Sequence, residues 1–111
     1  MAGKFEITTR KNGEFQFNLK AGNGQVILTS EGYKAKASAL NGVESVRKHS
    51  QDDANFDRLT AKDGSPYFNL KASNGQNIGH SEMYSGKAAC ENGIESVKTH
   101  APDAELVDLT A

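Results

Sequence analysis

Cysteine, tryptophan and proline are scarce in this sequence, which has one cysteine, no tryptophan and two prolines among 111 residues. A single cysteine excludes an internal disulfide and a zinc site built from cysteines. An excess of positive charge is also absent, because 13 lysine and arginine residues face 14 aspartate and glutamate residues. This balance excludes an indiscriminate binder of polyanions.

Long hydrophobic runs are missing as well. The longest aliphatic run is the Val-Ile-Leu of residues 26–28, whereas a membrane-spanning helix needs about 20 apolar residues. Residues 1–5 contain no apolar segment of the kind that signal peptides carry. We therefore expect a soluble protein of the cytoplasm with no membrane partner.

An internal repeat with an offset of 51 residues is the main feature that is present. Residues 17–21 and 68–72 both read Phe-Asn-Leu-Lys-Ala. Residues 41–46 and 92–97 read Asn-Gly-(Val/Ile)-Glu-Ser-Val. From residue 17 to residue 49, 20 of 33 positions are identical to their partners in the second copy. The chain is therefore a tandem duplication.

Alternating apolar residues predict the strands of each repeat. Phe15, Phe17 and Leu19 alternate with polar residues, and Phe68 and Leu70 repeat the pattern in the second copy. Further strands are predicted around residues 5–7, 25–29, 56–60, 76–80 and 107–109. Each repeat thus begins with three strands and is closed by a further one.

Turn and bulge signals lie between these strands. Asn12-Gly13 and Asp63-Gly64 indicate hairpins, and we expect type I′ turns with positive φ at both central residues. The spacing of three between Phe56 and Leu59 breaks the alternation. One extra residue at that point predicts a β-bulge.

Residues 34–49 and their copies predict one helix in each repeat, with small and branched residues on one face. The predicted buried stripes are Ala35, Ala39, Gly42, Val43 and Val46, and Gly86, Cys90, Gly93, Ile94 and Val97. Glycine inside a helix costs about 1 kcal/mol relative to alanine, so a kink or a break at Gly42 and Gly93 is the alternative to one continuous helix, which we favour. We interpret the residues before each helix as capping and hydrogen-bonding residues. They are Ser30, Glu31 and Tyr33 in the first copy and Ser81, Glu82 and Tyr84 in the second.

The element order is βββαβββαβ, which predicts an α+β fold. We expect seven strands in a single antiparallel-rich sheet, both helices on one face, and a pseudo-twofold axis between the halves. No linker rich in proline, glycine or serine separates the copies, which favours one domain over 1–111 with repeats at about 4–54 and 55–111. Because each closing strand resembles the opening strand of the next half, we expect the closing strands to be exchanged.

The repeated motifs Phe-Asn-Leu-Lys-Ala, Asn-Gly-Gln, Ser-Glu-x-Tyr and Asn-Gly-(Val/Ile)-Glu-Ser-Val resemble the YegP-like family of small bacterial proteins, in its duplicated subfamily. The resemblance covers nearly the whole chain and occurs twice. It implies tandem βββαβ motifs in one sheet with swapped C-terminal strands. It carries no assigned biochemical activity, so it sharpens the fold and leaves the function open.

Catalysis is the least favoured function. Cys90 with His49, His80 or His100 is a conceivable nucleophile and base, but Cys90 takes the place of Ala39 on the predicted core face. A histidine at each helix end is explained by a favourable interaction with the helix dipole. The three histidines lack metal-ligand spacing, and the glycines match no phosphate-binding motif. We therefore expect no catalytic residue, no metal and no cofactor, with an enzyme using Cys90 as the last alternative.

A binding surface on the sheet face opposite the helices is the better hypothesis. The candidate ligand-binding residues are Gln16, Asn18, Lys20, Tyr67, Asn69 and Lys71. We expect Glu6, Thr8, Val26 and Leu28 beside them. The pairs Asn18 with Asn69 and Lys20 with Lys71 are the strongest candidates, because the fold does not require their identity. The other interpretation of this surface is an ordinary solvated sheet face.

These residues predict a non-catalytic binding or accessory module with a partner that the sequence does not identify, a protein being one class. The alternative is weak binding of single-stranded nucleic acid or of a nucleotide, for which Tyr67 offers a single stacking ring. We expect a monomer, because the duplication already supplies the symmetric contact.

Overall fold

The computed structural model describes residues 3–110, which form one seven-stranded sheet and two helices. The strands are β1 (Lys4–Thr9), β2 (Phe15–Lys20), β3 (Val26–Thr29), β4 (Phe56–Thr60), β5 (Pro66–Lys71), β6 (Asn77–His80) and β7 (Glu105–Asp108). The helices are α1 (Lys36–His49) and α2 (Lys87–His100), and a 3₁₀ turn (Asp53–Asn55) precedes β4. Neither α1 nor α2 has the length and apolar character that crossing a membrane would require.

The strand order is β4-β5-β6-β3-β2-β1-β7. Neighbouring strands are antiparallel except β1 and β7, which are parallel. The two halves meet between β3 and β6, where Thr29 pairs with His80. These two residues are one repeat apart, so the pseudo-twofold axis passes between them. The predicted α+β fold with tandem repeats is confirmed.

The closing strands are exchanged between the halves, as expected. β4 follows α1 but pairs with β5 of the second half, and β7 follows α2 but pairs with β1 of the first. The last turn of each helix holds the segment that follows the other helix. Arg47 Nη2 donates to the Ala104 carbonyl oxygen at 2.8 Å, and Lys98 Nζ lies 2.7 Å from Asp53 Oδ1.

The core lies between the sheet and the helices, and strand alternation places it there. Phe5, Phe17, Leu19, Phe68 and Leu70 have no exposed surface. The helices contribute the predicted stripes, of which Ala39, Gly42, Val43 and Val46, and Cys90, Gly93, Ile94 and Val97, are buried. Fully burying a side chain of this size contributes about 1.5–3 kcal/mol.

Both helices are continuous through their internal glycines, as we favoured. Tyr33 stacks on Phe17 with ring centroids 6.3 Å apart and an interplanar angle of 10°. A Cβ atom at Gly42 would lie 2.6 Å from the Tyr33 hydroxyl oxygen. The tyrosine ring comes so close to the helix that only glycine fits at position 42. Gly93 and Tyr84 form the same contact in the second half.

The expected type I′ turns are wrong. Positive φ occurs only at glycines within the described residues, among them Gly13 and Gly64, so the preceding Asn12 and Asp63 keep negative φ. The side chains of these two residues instead accept the backbone N–H two residues ahead, at 3.0 and 2.9 Å. This local hydrogen bond stabilises a longer turn in which only the glycine adopts the left-handed conformation.

The bulge expected between Phe56 and Leu59 is also wrong. The β4–β5 register runs without interruption from Phe56 to Thr60. Arg58 takes the inward-facing place that Ile7 holds in β1, and Leu59 lies on the outer face beside Tyr67. The sequence alternation is broken because a charged residue stands at a core-facing position. The register shifts are instead in the β2–β3 and β5–β6 hairpins.

The serines before the helices do not cap them. The Ser30 hydroxyl is buried, accepts the Phe17 N–H at 2.9 Å and donates to the Glu31 carbonyl oxygen at 2.8 Å. Ser81 makes the equivalent bonds. The helices begin after Ala35 and Gly86, neither of which provides a side-chain cap. These serines satisfy the backbone where β3 and β6 end.

We predict that Gly93→Ala lowers the free energy of unfolding by about 1–3 kcal/mol, as expected for an overpacked site. The added methyl group would meet the Tyr84 hydroxyl oxygen, and this clash outweighs the gain in helix propensity of about 1 kcal/mol. Urea unfolding of wild type and variant measures the difference. Gly86→Ala is the matched control, because a Cβ there has no neighbour within 4 Å. Equal or greater stability of Gly93→Ala would contradict the packing argument.

A second prediction concerns the docking of β7. Lys36 Nζ lies 2.7 Å from Asp108 Oδ2, and hydrogen bonds from Lys36 and then Thr110 lower the pKa of Asp108 to about 2, from an ordinary value of 3.8. A depressed carboxyl pKa stabilises the folded state above the ordinary value, and this contribution is lost as pH falls toward the folded pKa. The stability difference between wild type and Asp108→Asn should therefore be constant above about pH 5 and shrink toward pH 2. Urea unfolding across this range checks it, and a difference that does not change with pH would refute the ion pair.

Candidate functional site

The sheet face away from the helices carries a row of residues that crosses all seven strands and is polar on six of them. The register places Asp57, Asn69, His80, Thr29, Asn18, Glu6 and Val107 in this order. His80 and Thr29 lie at the pseudo-twofold axis, flanked by Asn69 and Asn18. His80 was not predicted on this face. An outward-facing Leu28 implied that Thr29 and its repeat partner His80 faced inward, and the register shift reverses this alternation.

The six predicted site residues lie on this face but do not converge. Gln16, Asn18 and Lys20 are on β2, and Tyr67, Asn69 and Lys71 are on β5. β3 and β6 separate the two strands, so they are three spacings of about 4.8 Å apart. The pseudo-twofold axis also places Lys20 and Lys71 at opposite ends of the sheet.

One predicted neighbour of these residues is not on the outer face. Leu28 pairs with Leu19, is fully buried and faces the helices. The register shift between Leu19 and Lys20 puts one extra residue into β3 and reverses the expected alternation. Val26, by contrast, pairs with Lys20 on the outer face.

Both candidate lysines are paired with acidic residues of the next strand. Lys20 Nζ lies 2.8 Å from Glu6 Oε1, and Lys71 Nζ lies 3.1 Å from Asp57 Oδ2. The Gln16 amide oxygen is also engaged, because it accepts a hydrogen bond from Arg10 Nε at 2.6 Å. The outer face is therefore a charge-balanced polar surface rather than a basic platform.

The two edges of the sheet differ, and a cleft lies at one of them. β7 covers the outer side of β1, whereas no strand among residues 3–110 covers the outer side of β4. A cleft of about 350 Å³ between β4 and α2 is lined by Arg58, Leu59, Thr60, Pro66, Tyr67, Lys87, Cys90 and Glu91. The residues of the first half that correspond to Arg58, Pro66 and Glu91 are Ile7, Phe15 and Leu40. Comparing the two copies position by position was the sequence signal that could have revealed this site.

The charged residues beside the cleft form a network of ion pairs centred on Arg58. Lys87 does not take part in this network. Arg58 binds the Glu91 carboxylate through Nε at 2.6 Å and Nη2 at 2.9 Å, and also binds Asp53 at 3.0 Å. Hydrogen bonds from Arg58 and then Lys98 lower the pKa of Asp53 to about 2, and Arg58 also lowers the pKa of Glu91. These groups therefore stay ionised and paired at neutral pH. Lys87 is exposed and has no acidic partner in the described part of the chain.

Cys90 lies at the cleft but has the properties of a core residue. Its side chain is 3% exposed, and burial followed by the Glu91 charge raises the pKa of its thiol. His100 lies ten residues further along α2, about 15 Å away at 1.5 Å per residue. His80 is on the opposite side of the sheet. The two histidines of the second half are therefore not placed beside Cys90.

The histidines at the helix ends and the acidic residues suggest no metal site. His49 Nδ1 lies 2.9 Å from the Ser45 carbonyl oxygen, and His100 Nδ1 lies 2.8 Å from that of Ser96. Each imidazole is thus held within its own helix. Over residues 3–110, no group of three or more histidine, cysteine, aspartate or glutamate side chains could hold a metal ion.

The same architecture occurs in two solved structures. The solution NMR structure of a UPF0339 protein from Shewanella oneidensis matches with a TM-score of 0.93 and 50% identity, covering 99% of this chain and 93% of that one. The solution NMR structure of YegP from Escherichia coli, a protein of unknown function, matches with a TM-score of 0.95 and 46% identity, covering 100% of this chain and 96% of that one. The expected YegP-like resemblance is confirmed.

Relatives and a family model agree with this match. A UPF0339 protein of Acinetobacter baylyi is 56% identical over 110 residues, which is 99% of each chain. A UPF0339 protein encoded in the 5′ region of the ptx operon of Stutzerimonas stutzeri is 54% identical over 109 residues, 98% of each chain. Nothing in these descriptions indicates catalysis. The family model described as a domain of unknown function, DUF1508, matches twice, at residues 11–57 and 61–108. The chain therefore belongs to the DUF1508 family, in a form with two tandem copies of the domain.

Proposed function

We propose that this protein is a protein-binding module that takes up an extended segment of its partner as an additional strand on the outer side of β4. The proposal rests on a pairing of strands that already exists within this chain. The matching strand of the first half, β1, already binds an extended segment in this way, because β7 lies parallel to it.

β4 is the first strand of the second half, as β1 is the first strand of the first half. β1 pairs with β2 from Phe5 opposite Leu19 to Thr9 opposite Phe15. β4 pairs with β5 in the register that the 51-residue offset requires, beginning with Phe56 opposite Leu70. The outer side of β4 is therefore the counterpart of the surface that β7 covers.

The backbone of β4 is oriented to accept a strand. In the first half the Ile7 carbonyl oxygen accepts the Leu109 N–H at 2.9 Å, so the polar groups of Ile7 face β7. Arg58 is the counterpart of Ile7, and the shared register turns its N–H and C=O toward the uncovered side. A row of such groups along a sheet edge is a template for strand addition.

The β4 edge is also protected against indiscriminate pairing. β4 has only five residues and carries the charged side chains of Asp57 and Arg58. Short, charged edge strands resist edge-to-edge aggregation. A partner must therefore match these side chains as well as the backbone, which supports a selective binding site.

Binding of single-stranded nucleic acid or a nucleotide on the outer face is the second candidate. The amides of Asn18 and Asn69 and the imidazole of His80 share one row, and such groups can hydrogen-bond to base edges. The ion pairs of Lys20 and Lys71 weaken this candidate, because counterion release from phosphates needs unpaired cations. Catalysis through Cys90 has the least support.

We predict that a peptide copied from residues 104–110, with blocked ends, binds at β4. Amide shift changes in a ¹⁵N–¹H NMR titration should centre on Phe56–Thr60, because this peptide already fits the equivalent surface of β1. The matched control is the same peptide with Val107→Pro. Glu105 and Leu109 donate to the Gly3 and Ile7 carbonyl oxygens, so the N–H of Val107 faces the same way and proline removes it.

Equal binding of the proline peptide would show that the contact is not strand pairing. Shifts confined to β1 would mean that the peptide merely displaces β7. A titration with a short RNA completes the comparison. Shifts on Asn18, His80 and Asn69 that fade with added salt, without any peptide effect at β4, would replace the proposal with the nucleic-acid candidate.

We also predict that Cys90 is unreactive in the folded protein. Because it is the single cysteine, an aromatic disulfide reagent reports on it alone. Its reaction should be slower by about two orders of magnitude or more without urea than in denaturing urea, since the thiol is buried and mostly protonated. Similar rates in both conditions would instead favour an accessible, activated thiol and revive the catalytic alternative.

A further inference from the structure

We infer that the segment bound at β4 is selected by an acidic residue that pairs with Lys87 and by an apolar residue two positions later that enters the cleft. This inference rests on the proposed strand addition and names the chemistry of the partner. The occupant is an extended segment of another protein.

The position of the acidic residue follows from β7. Asp108 lies beside Ile7 in the β1–β7 register and therefore faces the helices, as Ile7 does. From there its carboxylate reaches Lys36 Nζ at 2.7 Å. In the same register on β4, the corresponding residue of a bound segment lies beside Arg58 and also faces the helices.

The cation for this acidic residue is already in place. Lys87 is the first residue of α2, as Lys36 is the first residue of α1, and the two are one repeat apart. Arg58 is occupied by Glu91 and Asp53. Lys87 has no acidic partner among residues 3–110, so it is the group left to bind the incoming carboxylate.

The cleft provides the second point of selection. Two residues beyond the acidic one, a segment that continues straight lies beside Thr60 on the helix side. Thr60 lines the cleft together with Pro66 and Cys90. Phe15 fills the place of Pro66 in the first half. An apolar side chain from the partner would occupy the space that this phenylalanine ring takes up in the other half.

Three blocked peptides test the inference by NMR titration: residues 104–110, the same peptide with Asp108→Asn, and the same peptide with Thr110→Leu. Loss of the carboxylate should weaken binding about two- to fivefold, as for a single exposed ion pair. Leucine at the cleft position should strengthen binding about three- to tenfold by burying apolar surface.

Protein variants assign each effect to its residue. Lys87→Gln should abolish the difference between the aspartate and asparagine peptides, whereas Lys48→Gln, at an exposed position of α1, should leave it unchanged. Pro66→Phe should close the cleft and abolish the gain from leucine without affecting the aspartate effect.

The outcomes separate this inference from the proposed function. If all three peptides shift β4 with equal affinity, selection by Lys87 and the cleft is wrong, while strand addition stands. If no peptide shifts β4, the proposed function itself fails. If sizing shows that the free protein is a dimer, and its amide shifts on Phe56–Thr60 change on dilution, the site serves self-association and the inference of a foreign partner is overturned.

Discussion

The narrow junction between β3 and β6 is the contact on which the whole sheet depends. Thr29 and His80 form the pair that joins the two halves at the pseudo-twofold axis. Leu28 packs there against Gly79, where a Cβ atom would lie 2.8 Å from Leu28 Cγ. Two large residues related by the axis would collide, so one repeat supplies a leucine and the other supplies space.

A junction this short does not hold the halves together alone, and the exchanged segments reinforce it. Residues that follow one helix are bound by the last turn of the other, through Arg47 and Ala104 on one side and Lys98 and Asp53 on the other. The sheet has an odd number of strands, because β4 both closes the first repeat and opens the second. One edge is then covered by a parallel strand and the other is not, so two similar repeats present different surfaces.

Period-two alternation and the 51-residue repeat were enough to predict the strands, both helices, the core and the exchange. The errors arose where a local hydrogen bond, a charged residue on the helix side of the sheet or a register shift breaks the pattern. Asn12 and Asp63 bind the backbone ahead of them, Arg58 takes a core-facing position, and the register shift at Leu19 reverses Leu28. The ion pairs of the candidate lysines depend on register between strands, and the cleft depends on how strands and helix pack. Neither can be read from one strand alone.

The parallel pairing of β1 with β7 has a consequence for the order of assembly. It joins Lys4–Ile7 to Glu105–Asp108, and contacts between residues so distant along a chain form late because loop closure must come first. During synthesis, the edge of β1 stays uncovered until residues 105–108 have left the ribosome. The N-terminal repeat, although made first, is therefore completed last.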